Sequence, residues 1–409
     1  MDYSFLPGWP LQFNETLRVA IALIFAGLAG EVVARVVRLP RVTGYSLAGI
    51  LLGPSVLGWF GVEELGDLRL IIDLALALLL FELGIRVDLR WFRKNPWILA
   101  SSVAEAGLTF LATFYALRWM GTGTGLAATV AAIAIGTSPA VVMRVAAELR
   151  AEGQVTQRLF VHTALNVFYS VVLSKLIVGG MHGAFRADWL AAVLHPLYLI
   201  AGSLVMGVAI AVAFRGLRRV FDLSDEQGVA TLFGLLLLAL ALFQMFALPT
   251  TLAPLLAGVL VKHWDRRPHL WPRHFGTAGG VLVILLFVFT EVTLTGKAIV
   301  AGGLSALVLI AVRVLSKGVG VTVFGSLGGL SQRQSLALGV ALLPMSGVAF
   351  VLTEEVRSIY PEFGAQIGAV VLSMTAVLEL LGPIGVQWAL IFSNEARNET
   401  KNAAQKGGR

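Results

Sequence analysis

Apolar runs separated by short polar breaks follow one another along almost the whole chain, and that repetition leaves one class of fold open. The runs lie near residues 17–37, 42–60, 68–86, 97–120, 124–146, 156–180, 190–215, 227–247, 249–262, 276–297, 299–320, 333–356 and 363–392. A helix needs about 20 apolar residues to cross a bilayer core roughly 30 Å thick. Within lipid the backbone must satisfy itself, which leaves helices or a closed barrel, and runs this long read as helices. The predicted fold is therefore an all-α integral membrane protein of about thirteen transmembrane helices. Only 13% of the 409 residues are charged and the mean hydropathy is +0.84, against about 25% charged in soluble domains.

The breaks alternate in charge. Arg35, Arg38 and Arg41 follow the first run, and Arg86, Arg90, Arg93 and Lys94 the third. Arg150 and Arg158 follow the fifth, and Arg215, Arg218 and Arg219 the seventh. Lys262, Arg266, Arg267 and Arg273 follow the ninth, Arg333 the eleventh, and Arg397, Lys401, Lys406 and Arg409 the last. By the positive-inside rule the N-terminus is expected outside and the C-terminus in the cytoplasm of a cell (inner) membrane. An odd number of spans satisfies that orientation, independently of hydropathy. The net charge of +7 is thus a membrane signal, and no nucleic-acid partner is expected.

Several chemistries are excluded. The chain has no cysteine, hence no disulfide and no thiolate site. Its six histidines are scattered and predict no metal site. No GxGxxG occurs in a βαβ setting, no cofactor is expected, and no catalytic cluster suggests an enzyme. Residues 1–16 are polar without a basic n-region, so no cleavable signal is read there. The polar stretch 394–409 is expected to be a short disordered cytoplasmic tail.

Two segments repeat with opposite direction. Leu47-Ala48-Gly49-Ile50-Leu51-Leu52 follows a basic break, whereas Leu256-Ala257-Gly258-Val259-Leu260-Val261 precedes one. Each is followed at similar distance by an apolar run broken at proline, Thr137-Ser138-Pro139 and Pro344-Met345-Ser346. Proline removes an N–H and frees a carbonyl, which lipid does not tolerate unless protein or a cavity receives it. At 1.5 Å per residue, Thr137 lies about 20 Å from one face and Pro344 about 16 Å from the other. Both breaks fall near mid-membrane in oppositely directed runs. That is the signature of an inverted-topology repeat with two crossed broken helices, its halves roughly 42–215 and 249–392 within a transmembrane region 1–393.

The motifs Gly44-Tyr45-Ser46-Leu47-Ala48-Gly49-Ile50-Leu51-Leu52-Gly53-Pro54, LLLFELGIRVDLR (78–90), Gly136-Thr137-Ser138-Pro139 and Ala164-Leu165-Asn166 resemble those of the cation:proton antiporters. So do LAPLLAGVL (252–260), Arg313 with Lys317, and PMSGVAFVL (344–352). The chain resembles the sodium/proton exchanger superfamily, close to its Kef-type branch. The resemblance implies a core domain with crossed broken helices, a dimerisation domain and hence a homodimer, and elevator-like movement. It also implies a monovalent cation and protons as substrates. One departure matters: relatives carry an aspartate in the sixth span, and here Asn166 is followed by Val167.

An ionisable residue within a span is a functional candidate by default. The candidates are Asp73, Glu82, Glu105, Lys175, Glu291, Arg313 and Glu379. Glu105 and Arg313 share a depth of about 10–12 Å in repeat-related runs, and a salt bridge between them is predicted. Glu82 either draws cations or turns to Arg86 at i+4. Asp73 is expected to be solvated, Lys175 to snorkel outward, Glu291 to be neutralised by Lys297, and Glu379 to cap or bridge spans. His162 shares a helix face with Asn166 and is read as an interfacial histidine. The predicted activity is exchange of Na⁺ or K⁺ for protons, with Thr137, Ser138, Asn166 and Ser346 offering neutral oxygens and Glu105 the carboxylate. The alternative is a diverged, uncoupled relative (ion leak, solute carrier or sensor), which the missing aspartate favours.

Overall fold

A computed structural model describes residues 14–60, 65–186, 188–220, 226–264, 275–292, 296–345 and 347–396. The chain forms α1 (Glu15–Val32), continued by a π-helical turn (Val33–Val37), then α2 (Arg41–Leu52) and α3 (Leu65–Ile85). The short α4 (Leu89–Lys94) leads into α5 (Pro96–Trp119). The fifth run splits into α6 (Thr124–Ile135) and α7 (Pro139–Glu148), followed by α8 (Gln154–Arg186) and α9 (Trp189–Val220). The remainder is α10 (Glu226–Met245), α11 (Leu252–Trp264), α12 (Phe275–Val292) and α13 (Gly296–Gly325). The twelfth run also splits, into α14 (Gln332–Ala341) and α15 (Gly347–Ile359), before α16 (Pro361–Phe392). Every described regular element is helical, as the apolar runs required.

Local chemistry sets the ends. Pro96, Pro139 and Pro361 occupy first-turn positions, where the missing N–H costs nothing. Ser138 caps α7 by accepting from the Val141 N–H at 3.3 Å. Ser331 and Gln334 form a reciprocal capping box at α14. Glycine at 303 adopts φ 37°, and α13 bends there.

Seven helices among the described residues are long and apolar enough to cross a membrane, and three shorter ones are apolar. Their outward faces are what lipid requires. On α13, Leu304, Leu307, Leu315, Val319 and Val323 are exposed, while Arg313 and Lys317 are fully buried. That is the reverse of a helix in water.

The helices pack as two groups. One comprises α5–α8 and α13–α16; the other comprises α1–α3 and α9–α12. Contacts between the groups run mainly through the α8–α9 hairpin, where α16 lies on α2, and where α3 lies on α7. The repeated Leu-Ala-Gly motifs have matched tasks within this arrangement. A Cβ on Gly258 of α11 would lie 2.9 Å from the Cα of Gly84 on α3. One on Gly49 of α2 would lie 2.6 Å from the Val288 carbonyl oxygen on α12. Each motif thus brings two backbones into the close approach that small residues permit.

The stretch 394–409 differs from expectation at its start. Glu395 is buried and accepts from the Val155 N–H at 2.8 Å, the Thr156 N–H at 2.7 Å and the Thr156 hydroxyl at 2.8 Å. It neutralises the free N–H groups at the start of α8, where a carboxylate meets the positive end of the helix dipole. Residues 397–409 lie outside the described residues.

Candidate ion-translocation site

The two broken helices cross, and their unwound segments bond to one another. The Ser138 N–H donates to the Pro344 carbonyl at 2.9 Å, and the Thr137 hydroxyl donates to the Leu342 carbonyl at 2.9 Å. The crossing thus presents the C-terminal ends of α6 and α14, with free carbonyls and partial negative charge, to one locus. Pro139 opens α7, and Pro344 lies in the unwound segment between α14 and α15. Ser346 lies outside the described residues.

Two cations of α13 fill that locus. The fully buried Arg313 guanidinium donates to the Ala134 carbonyl, to Gly136 at 2.7 Å, and to Leu342, Leu343 and Pro344 at 3.4, 3.3 and 3.5 Å. Arg313 therefore does not pair with Glu105 as the shared depth predicted. The partner of Glu105 is Lys317, one turn further along the same face of α13. Depth counting locates a charge to about one turn, and residues four apart share a face. Both members of this ion pair are completely buried. The Lys317 ammonium also donates to the Ile135 carbonyl at 3.1 Å and to the Thr137 hydroxyl at 3.5 Å.

Val167 is buried in the apolar core, while Asn166 turns to the crossing and donates to the Thr137 hydroxyl at 3.2 Å. The carboxylate enters from α5 instead of α8. Gly320 permits it: a Cβ there would lie 2.9 Å from the Glu105 nitrogen, so α5 and α13 meet almost backbone to backbone. One oxygen of Glu105 (Oε2) and the Asn166 amide oxygen receive no donor among the described residues.

The other charged candidates have other partners. Glu82 takes Arg86 at 2.8 Å, the second of the two readings open to it. Asp73 is buried, not solvated, with Arg69 at 3.9 Å. Lys175 does not snorkel; it is 4% exposed and pairs with Glu355 of α15. His162 is buried, not interfacial, and bonds Ser101 at 3.1 Å. Glu291 faces Glu379, and the Lys297 side chain is outside those described. A cavity of about 740 Å³ lies between α3 and α15, bordered by Asp73, Thr250, Glu354 and Glu355 with Arg69 and Arg357. Its three carboxylates are each ion-paired, Asp73 to Arg69, Glu354 to Arg357 and Glu355 to Lys175.

Residues 19–391 match the family described as sodium/hydrogen exchanger, transmembrane. The chain belongs to this family. Membership over nearly the whole chain assigns it to cation:proton antiport and does not favour the uncoupled alternative. Among solved structures, the sodium proton antiporter MjNhaP1 from Methanocaldococcus jannaschii at pH 8 is similar, with a TM-score of 0.69 and 17% identity over 92% of this chain and 97% of that one. An electron-microscopy map of the same antiporter gives a TM-score of 0.73 at 16% identity, covering 95% of this chain and all of that one. At such identity the likeness is one of fold. This exchanger-family chain shares that architecture.

Proposed function

We propose that the chain exchanges Na⁺ or K⁺ for protons by alternating access, with the Glu105–Lys317 pair as the coupling element. The observation that carries this reading is the fully buried ammonium held by a carboxylate, a helix-end carbonyl and a threonine hydroxyl at the crossing. Those oxygen donors also suit an alkali cation. A cation entering takes the place of the ammonium charge, and either Lys317 gives up its proton or Glu105 takes one when the cation leaves. One positive charge replaces another, so the buried site never carries an uncompensated anion. Thr137, Ser138, Asn166 and Ser346 supply neutral oxygens. Arg313 stays on the carbonyls of both half-helices and keeps the crossing assembled.

The two helix groups supply the parts that alternating access needs, one carrying the crossing and the other standing against it. Thirteen spans, an external N-terminus, a cytoplasmic C-terminus, a cell membrane location and a homodimer complete the proposal, supported by the charge alternation of the breaks and by family membership. The halves 42–215 and 249–392 are the proposed repeat units, supported by the matched Gly49 and Gly258 crossings. The test is cation-driven proton movement in proteoliposomes for the wild type and Glu105→Gln. Loss of movement in the variant with retained folding supports the reading; an unchanged pH profile removes Glu105 from the mechanism.

A further inference from the structure

Glu291 of α12 and Glu379 of α16 take no part in the crossing. Their side chains are 0% and 1% exposed, and the two carboxyl groups lie within hydrogen-bonding reach of each other. Among the described residues, no donor reaches any of their four oxygens. Three helices close around them. Gly49 of α2 presses on Glu291, where a Cβ would come to 2.6 Å from the glutamate Cβ, and Ile50 packs against Leu372 and Ala376 of α16. Thr375, one turn before Glu379 on the same helix face, is also buried with its hydroxyl unpartnered.

Among the described residues, the charged groups on the surrounding helices are committed elsewhere. On α1, Glu31 takes Arg35 and Arg41 of α2; Tyr45 of α2 lies against Gly30, and Arg144 of α7 lies near Gly280 at the far end of α12. On α3, Asp73 has Arg69 and Glu82 has Arg86. On α15, Glu354 has Arg357 and Glu355 has Lys175. On α13, Arg313 and Lys317 serve the crossing, and Arg333 of α14 lies over the Phe392 ring. The repeat sharpens the contrast. With the Leu-Ala-Gly motifs in register, Glu82 of α3 corresponds to Glu291 of α12. The former has an arginine one turn on; the latter has Thr295 at that place.

Two carboxyl groups in contact away from water do not both ionise, and a shared proton lets one donate to the other. We propose that Glu291 and Glu379 form a second proton-binding site, distinct from the crossing, which bridges the two helix groups. With the proton in place, an O–H···O bond ties α12 to α16. Without it, two carboxylates face each other across the contact between the groups, and repulsion loosens that contact. Proton binding needs no transport reading to hold; its effect on movement rests on the proposed alternating access.

Infrared titration of the protein in lipid tests the site directly. The expected result is a protonated-carboxyl C=O band at neutral pH that is lost in both Glu291→Gln and Glu379→Gln, because each glutamine supplies the remaining carboxylate with an amide donor. Loss in one variant only would show a lone carboxylic acid and overturn the shared site, as would wild-type spectra in both. Hydrogen exchange on the wild type requires no variant: amides of α2 and α12 near residues 46–50 and 288–292 are expected to exchange faster at alkaline pH after correction for the intrinsic rate. Equal protection across the pH series would sink the bridging role. Absent transport alongside an intact band would overturn the antiport reading and leave the site standing.

Discussion

Arg313 and Lys317 sit four residues apart on one helix face and do different work. Arg313 spreads its planar fork over carbonyls of both half-helices, a geometry that an ammonium does not reproduce. Lys317 presents a point charge to one carboxylate, an arrangement that a single proton can dissolve. Arg313→Gln is expected to lower stability by about 3–5 kcal/mol, the range for breaking a buried charged network, seen as a fall in thermal midpoint in detergent. Asn166→Ala is expected to leave folding intact and weaken cation-driven proton movement, since it removes the amide beside Thr137; unchanged apparent cation affinity would exclude Asn166 from the site. The types of residue at this site were legible in the sequence, because charges within apolar runs stand out. The partners were not. Rise per residue gives depth, while the face and the neighbour depend on how α5 and α13 cross, and that is set by Gly320, a single glycine three residues past Lys317.

At the scale of elements, glycine decides where helices meet. Gly320→Ala would place a methyl group 2.9 Å from the Glu105 nitrogen, and the expected cost is about 1–3 kcal/mol from overpacking. Transport is expected to fall with it, because α5 must retreat from α13 and carry Glu105 from Lys317; stability and transport equal to wild type would show that the crossing is looser than described. The broken helices were readable from proline spacing, and the structure adds how they hold together, through backbone and hydroxyl bonds that no pattern of letters encodes. The repeated Leu-Ala-Gly motifs were likewise visible as a pattern, while their shared task as close crossings emerged only from the packing. Glu395 shows the opposite failure. Within a polar segment it resembles any solvated acid, yet it caps a helix more than two hundred residues away in sequence.

Across the molecule, the proposed transport mechanism combines two helix groups, a buried ion pair at a crossing in one of them and a carboxyl pair between them. The proposed orientation has a simple check: the absence of cysteine makes single introduced cysteines clean reporters. A cysteine at Ser4 is expected to label from outside and one at Arg409 from the cytoplasm only; the reverse pattern would invert the topology. In the proposed mechanism a carboxylate from α5 replaces the missing one of α8. Its most direct test is proton movement in proteoliposomes on adding Na⁺, K⁺ or Li⁺ across a pH series, with wild type and Glu105→Gln side by side. The expected result is a cation-dependent proton response in the wild type that is lost in the variant. An equal response in both, with the same pH profile, would contradict it.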